Sequence, residues 1–456
     1  MGKYQLELLP YEEAFDTLVV KQSAINFAKK NHFPDTIPKK NPKLPYPHYY
    51  LPYYIKNSET HWQNTMVYFI GKETDGQKWS FIATISSVAE KPSEEIDTEM
   101  IQLILEKKVL NENHLGGGEG KTIALKGMAV VTTGKIVGFQ EGIVDMTGPG
   151  AEYTPFSKLN NLVIIAEPAE GIKQHEHEKA VRYIGFKAAK YLGELARNLQ
   201  PEETKVYETK PLLEQIAEYP NLPKVGYVYM LQTQGLLHDT YVYGVDAKQI
   251  VPTILYPTEI MDGAIVSGNC VSACDKNPTY VHLNNGVIEE LYEKHGKEIN
   301  FLGVIITNEN VYLADKERSS NWTAKFTKYL GLDAAIVSQE GFGNPDTDLI
   351  MNCKKIETEG VKTVIVTDEY AGQNGASQSL ADADPKADAV VTGGNANQLI
   401  TLPKLDKVIG HIDVVNVIAG GNHDSLKENG TIEVEIQAIT GATNETGFGY
   451  LTAKTY

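Results

Sequence analysis

Cysteine is scarce in this chain: Cys270, Cys274 and Cys353 are the three among 456 residues. Three cannot build a disulfide framework at this length, and a reducing cytoplasm is the expected compartment. Cys270 and Cys274 have no second Cys or His pair nearby to complete a zinc set, so no metal is expected. Excess positive charge is also missing. Lys and Arg number 42 against 59 Asp and Glu, a formal charge of −17. A chain this acidic lacks the basic face that nucleic acid needs. No run reaches the ~18 apolar residues of a bilayer span. The opening MGKYQLELLPYEEAFD has no basic segment leading into an apolar one, so a signal peptide is not expected. Leu6 stands where a myristoylation signal places Ser or Thr.

Apolar residues, by contrast, are plentiful at 42%. They suffice for real cores and exclude a wholly disordered chain. The first 115 residues differ from the rest. Pro42 to Tyr54 is dense in proline and tyrosine, which predicts an extended arm or ordered loop rather than a helix. Met66–Ile70 and Trp79–Ile85 read as strands, and Ile96–Leu110 as a helix. Leu115-Gly-Gly-Gly-Glu-Gly-Lys-Thr122 resembles a phosphate loop in part. Leu115 occupies the position of its first glycine, so a turn between elements is the reading.

Further on, Gly127–Gly134 and Asn161–Ala166 are buried-strand candidates, with a turn at Gly148-Pro-Gly150. From His175, residues Ala180, Val181, Ile184, Ala188, Tyr191, Leu192 and Leu195 recur with helical spacing. His175 and His177 diverge at i, i+2 and read as solvated first-turn residues. Val225–Met230 and Gln249–Leu255 read as strands. After residue 290 strands Phe301–Thr307, Ala334–Val337, Thr363–Thr367 and Ala389–Val391 alternate with helical stretches Asn321–Tyr329 and Asp348–Glu359. The fold class expected is α/β: a parallel, helix-covered sheet in the C-terminal half, and a mixed α/β N-terminal half. Ligands on such sheets sit beyond the carboxyl ends of the strands. Those ends carry Asn308-Glu-Asn310, Gln339-Glu-Gly-Phe-Gly343, Asp368-Glu-Tyr-Ala-Gly372 and Gly393-Gly-Asn-Ala-Asn397. The expected division is residues 1–115, 116–269 and 270–456.

The junction segment Met261–Asn277 holds the most unusual chemistry. Gly268 beside Asn269-Cys270 permits a tightly turned backbone. There the Cys270 thiol is placed to attack the Asn269 carbonyl and form a thioester. Elimination at the cysteine then cuts the chain, and tautomerisation with hydrolysis leaves an N-terminal pyruvoyl ketone, a built-in electrophile for amines. Taken alone, an Asn-Cys pair is more often an ordinary loop dipeptide, and a lone cysteine a small buried hydrophobe.

Longer motifs carry a family likeness. Leu222–Asp239, Ser267–Asn277, Thr307–Asn321, Glu340–Asp348, Asp368–Gly372 and Gly375–Asp384 together resemble the proprotein of glycine/sarcosine/betaine reductase component B, over about residues 121–456. The resemblance implies cleavage between Asn269 and Cys270, with the pyruvoyl cofactor derived from Cys270 and no metal. It implies an oxidoreductase that captures a small amine as an imine and deaminates it reductively toward acetyl phosphate. The chain has no selenocysteine. The displacing selenolate therefore comes from partners: a selenocysteine-containing component B subunit and the small selenoprotein A, followed by an acetyl-phosphate-forming component C. His238, Asp239, Glu259 and Asp262 precede the junction and are candidates to assist it, each with a structural role as the competing reading. Lys316 and Arg318 are candidates to hold a substrate carboxylate, or else a solvated face.

The substrate stays open between glycine, sarcosine and betaine. A quaternary ammonium would call for an aromatic cage, and Tyr46, Tyr49, Tyr50, Tyr53 and Tyr54 offer one; packing or a subunit contact is the plainer reading. Two other functions compete. A pyruvoyl-dependent decarboxylase would release carbon dioxide, and an uncut α/β binding module would run as one full-length band.

Overall fold

The computed structural model describes residues 117–125, 128–133, 141–168, 181, 184–186, 188–189, 191–193, 200–201, 203–234, 240–267, 277–378 and 380–441, together with the backbone of four strands nearer the N-terminus. Those four are β1 (Tyr4–Leu8), β2 (Tyr49–Pro52), β3 (Met66–Thr74) and β4 (Lys78–Val88). They join β5 (Gly120–Ala124), β6 (Met128–Thr133), β7 (Asn160–Pro168) and β8 (Glu203–Tyr207) in two sheets, ordered β2-β3-β4-β7-β6 and β5-β1-β8. The strands expected at 66–70, 79–85, 127–134 and 161–166 are all present. The Pro/Tyr arm contributes β2, which pairs with β3 at the edge of the sheet among the described residues. An edge is where a proline-rich strand can sit without leaving a ladder donor missing. The Gly148–Gly150 turn opens a short 3-10 helix, Pro149–Tyr153, and Asp145 accepts the N–H groups of Gly148 and Gly150 at 2.8 Å each. Residues 181, 184–186, 188–189 and 191–193 are helical, with Val181, Ile184 and Leu192 buried. The helix expected at 96–110 and the residues His175 and His177 lie outside the described residues.

The core of the molecule is a six-stranded sheet. Its strands are β9 (Lys224–Gln232), β12 (Thr253–Leu255), β14 (Asn300–Glu309), β15 (Ala334–Ser338), β16 (Lys362–Glu369) and β17 (Val390–Asn395), in the order β12-β14-β9-β15-β16-β17. All neighbours are parallel except β12, an antiparallel edge. Between β9 and β12 lies a small sheet built from β10 (Thr240–Val242), β11 (Val245–Asp246) and, further along, β13 (Ile265–Ser267). The helices around it are α1 (Leu212–Glu218), α2 (Pro257–Met261), α3 (Thr279–Leu283), α4 (Gly286–Lys294), α5 (Leu313–Tyr329) and α6 (Asn344–Thr358), and a short helix, Gln437–Thr440, follows near the C-terminus.

β9 and β14 are buried along nearly their whole length because both of their faces are covered. Tyr227, Tyr229 and Leu231 of β9 pack with Val304 and Ile306 against Ile260 of α2 and Val287, Ile288 and Leu291 of α4. Val228 and Met230 point the other way, with Ile305, toward Ala324 of α5 and Leu349, Ile350, Cys353 and Ile356 of α6. Period-2 alternation within one strand therefore feeds two separate cores.

Three expectations change in detail. The parallel sheet crosses the division expected at 269/270: β9 and β12 come from before it, and the other four strands from after it. The strand expected over 249–255 spans only Thr253–Leu255. Residues 246–249 are held in a turn by the Ala247 N–H on the Thr240 carbonyl and the Gln249 N–H on the Asp246 carbonyl, both 2.8 Å. Pro252, which has no N–H to give a ladder, precedes the strand. The helix expected from Asn321 begins at Leu313. Its first turns turn Lys316, Ser319 and Ser320 inward, so an apolar periodicity does not register there.

Candidate active site

The strand order places β14 on one side of β9 and β15 on the other, so the connections leaving β9 and β15 part company at their carboxyl ends. This is the switch point at which doubly wound sheets hold ligands. Three buried groups meet there: Gln232 closing β9, Glu309 closing β14, and Glu340 two residues beyond β15. Glu340 is fully buried. Its Oε2 accepts the Gln232 N–H at 2.6 Å, and its Oε1 accepts the Asn277 N–H at 3.1 Å. Two backbone donors on one carboxylate replace the water that burial removes. The Glu340 N–H in turn donates to Glu309 Oε1 at 2.7 Å.

Glu309 is equally buried, and its Oε2 has no hydrogen-bond partner among the described residues. Burial first, and then the charge of Glu340, push the Glu309 carboxyl well above the usual range. Both causes favour its protonated form, and a protonated carboxyl is a donor. A chain of aromatic and imidazole groups approaches from α3. The Asn277 side-chain amide donates to the Tyr229 hydroxyl at 3.4 Å, and that hydroxyl lies 2.7 Å from His282 Nδ1. His282 Nε2 lies 3.7 Å from Glu340 Oε1. Burial pushes the imidazole down to about 3, against a smaller pull from the Asn277 backbone, so the ring is neutral. If the tyrosine hydroxyl donates to Nδ1, the ring's proton sits on Nε2, the nitrogen nearest Glu340.

Beneath this cluster Lys316 of α5 pairs with Asp348 of α6, both buried, and also donates to the Asn344 carbonyl at 3.0 Å. Asp348 Oδ1 accepts the Asn310 N–H at 3.1 Å. Burial raises its carboxyl to about 6, with Lys316 opposing.

The junction residues Gly268, Asn269 and Cys270 lie outside the described residues, as do Cys274, His238 and Asp239. Their described flanks are well fixed. The Ser267 N–H donates to Thr279 Oγ1 at 3.1 Å, and the same hydroxyl donates to the Ser267 carbonyl at 2.9 Å. The chain thus enters and leaves the junction at neighbouring points, and on leaving, its Asn277 rests on Glu340.

Glu259 and Asp262 are engaged in local structure. Glu259 accepts the Tyr256 N–H at 2.6 Å at the start of α2, and also the Tyr243 hydroxyl. Asp262 accepts the Gly118 N–H at 2.8 Å and the Thr122 hydroxyl at 2.7 Å. It therefore clasps the glycine-rich loop to the end of α2. Gly118 has φ +83°, and a Cβ there would meet the Glu259 nitrogen at 2.7 Å. The glycines serve close backbone approach. Lys316 is committed to Asp348. Arg318 is half exposed on the outer side of α5 and pairs with Asp315 at 2.7 Å. Cys353 is a buried free thiol 3.1 Å from the Thr363 hydroxyl, and burial pushes it up. Among the described residues no three His, Cys, Asp or Glu side chains group to hold a metal ion. No helix among them is long and apolar enough to cross a membrane.

Sequence reasoning singled out the loops holding Glu309 and Glu340 but not the two acids as a pair, nor His282. The available signal was a glutamate at or just beyond the end of each of two buried strands.

Fold and cluster define a doubly wound α/β protein whose buried acids and neutral imidazole sit at the sheet's switch point, suited to moving protons in a site shielded from water. The comparisons give the family. The model for glycine/sarcosine/betaine reductase component B subunits matches residues 109–454, and the chain belongs to that family. It is 69% identical over 389 residues to the glycine reductase complex component B subunits alpha and beta of Acetoanaerobium sticklandii, covering 82% of this chain and 90% of that one. It is 57% identical over 339 residues to the sarcosine reductase complex component B subunit alpha of Peptoclostridium acidaminophilum, covering 74% and 79%. The betaine reductase counterpart from the same organism is 38% identical over 353 residues, covering 74% and 80%. No solved structure matches the chain significantly. As a component B subunit it is part of an oxidoreductase of several components, so partner components are implied.

Proposed function

We propose that this chain is the precursor of the substrate-binding subunits of a glycine reductase, cut between Asn269 and Cys270 into residues 1–269 and 270–456. The observation that carries the reading is the relative 69% identical to it, in which one continuous chain bears the names of both an alpha and a beta subunit of a glycine reductase component B. The fall in identity from the glycine to the sarcosine and betaine relatives favours glycine as the substrate.

Processing begins when the Cys270 sulfur adds to the Asn269 carbonyl and the peptide nitrogen departs as the amine of residue 270. The thioester then loses the Cα proton of residue 270, and the Cβ–S bond breaks. Asn269 leaves as a thiocarboxylate, which water hydrolyses to carboxylate and sulfide. The remaining dehydroalanine tautomerises and takes up water with loss of ammonia, ending as a pyruvoyl group. The polar atoms without hydrogen-bond partners beside the chain's exit from the junction, Asn277 Oδ1 and Glu309 Oε2, fit a group that exchanges protons with its ligand. That ketone supplies an electrophile for the amine of glycine. The residues of this chain keep Glu309 and Glu340 away from water, and burial favours the protonated form of Glu309. The selenolate that displaces nitrogen, and the later formation of acetyl phosphate, belong to the partner components: a selenocysteine-containing subunit, selenoprotein A and component C. The cytoplasm is the compartment that such chemistry suits.

Intact-mass measurement of the purified full-length chain tests this. Two chains are expected, the second resistant to Edman sequencing and carrying a terminal ketone that reacts with hydroxylamine. A single chain with Cys270 recovered as an ordinary thiol from an active preparation overturns the reading. Labelled glycine releasing carbon dioxide would point to a decarboxylase instead.

A further inference from the structure

We infer that Glu340 and Glu309 are positioning residues for the processing of this chain: Glu340 seats the segment after the junction, through the Asn277 N–H, on the switch point of the sheet, and Glu309 orients Glu340 through its backbone N–H. The inference rests on the reading that the chain is cut at Asn269–Cys270.

Three geometric facts support it. The Glu340 carboxylate bridges two pieces of backbone that the cut would place in different chains: Gln232, before the junction, and Asn277, after it. Both acids are wholly inaccessible, so neither is a solvation device. Glu309 spends one oxygen on the Glu340 N–H and leaves the other without a hydrogen-bond partner among the described residues, an arrangement less costly for a neutral carboxyl than for a charged one.

The charges around the pair decide its pH behaviour. Glu309 faces Glu340 from beyond β15, Asp348 of α6 and Lys316 of α5, and the neutral His282 of α3 lies on the far side of Glu340. One lysine serves Asp348 directly, so the pair accommodates one negative charge more readily than two. As pH rises and Glu309 loses its proton, a second negative charge enters beside Glu340 and the seat for Asn277 is disturbed. Processing is therefore supported while Glu309 keeps its proton and declines as pH rises through its raised titration.

The test uses the full-length chain, made fresh by translation in vitro and followed by denaturing electrophoresis and intact mass across pH. The wild-type chain is expected to cut and to slow as pH rises. Glu340→Gln turns an amide toward two N–H donors and is expected to slow processing about tenfold or more, as losing a buried charge-assisted acceptor does. Glu309→Gln keeps a neutral donor in the same shape and cannot ionise, so it is expected to lose the decline with rising pH. A purely structural role would not remove that limb. If wild type never cuts, the precursor reading fails. If wild type cuts and both variants match its rate and pH profile, the positioning inference fails while the precursor reading stands. Should Glu340→Gln not fold, the Glu309→Gln profile decides, and an unchanged decline with rising pH overturns the inference.

Discussion

Val228 of β9 lies directly opposite Val337 of β15 in a parallel ladder, although the cut at 269/270 would place them in separate chains. On its other side Val228 faces Ile305 of β14. One strand from before the junction is thus held between two strands from after it. Severing the peptide leaves every ladder bond and both cores in place. The two product chains are expected to co-elute as one species in native gel filtration and to separate only in denaturant. Elution of residues 270–456 alone under native conditions would show that the sheet does not hold them.

His282 gives a stability prediction with a definite sign. Its folded value is near 3, while an unfolded histidine titrates near 6.5. The unfolded chain then binds the extra proton, so the stability from the neutral ring is complete above about pH 6.5 and drains as pH falls toward 3. Melting temperature is expected to fall across that acid window. His282→Gln, which cannot take up a proton, should flatten the fall by the share of one proton. Parallel curves for the two proteins would place the acid sensitivity elsewhere.

How far the chain could be read in advance differs between sheet and site. β14 and β9 were legible because strands covered on both faces need a run of apolar residues, and few other structures do. The switch-point loops were legible too, since they follow from strand order. The acid pair was not: Glu309 and Glu340 are 31 residues apart and meet only because β14 and β15 flank β9. α5 was read eight residues short because its inner face carries Lys316, Ser319 and Ser320, a polar face buried against a buried carboxylate. Asp262 was taken for a candidate in the chemistry. Its bond to Gly118 spans 144 residues, a separation at which spacing carries no information.

The buried Lys316–Asp348 pair sits under the proposed site and is expected to matter more for folding than for binding. Removing one partner leaves the other charge without compensation. Lys316→Met is expected to cost about 3–5 kcal/mol in chemical denaturation, the range for breaking a buried pair. Asp348 already sits near 6, above its unfolded value, so its favourable contribution is present at low pH and lost as pH rises through about 6. Without the lysine that loss should deepen at neutral pH. Lys316→Met together with Asp348→Leu should recover much of the stability. A double variant as unstable as the single one would refute the pairing as the cause.

Gly118 tests the glycine-rich loop. At φ +83° the backbone favours glycine, and a methyl group would stand 2.7 Å from both the Glu259 nitrogen and the Thr258 hydroxyl. The loop would have to lift, breaking the Gly118 and Thr122 bonds to Asp262. Gly118→Ala is expected to lower stability by about 1–3 kcal/mol, as strain at a special backbone position does. Asp262→Asn should also destabilise, by less, since an amide oxygen still accepts one bond. A phosphate-binding loop would behave differently: nucleotide or inorganic phosphate would raise the melting temperature of the wild type, and Gly118→Ala would abolish that rise. The glycines here sit against the backbone of α2 with Asp262 accepting from the loop, and a carboxylate in that place repels phosphate. No shift with phosphate is expected in either protein, and a clear shift in the wild type would reinstate the phosphate loop.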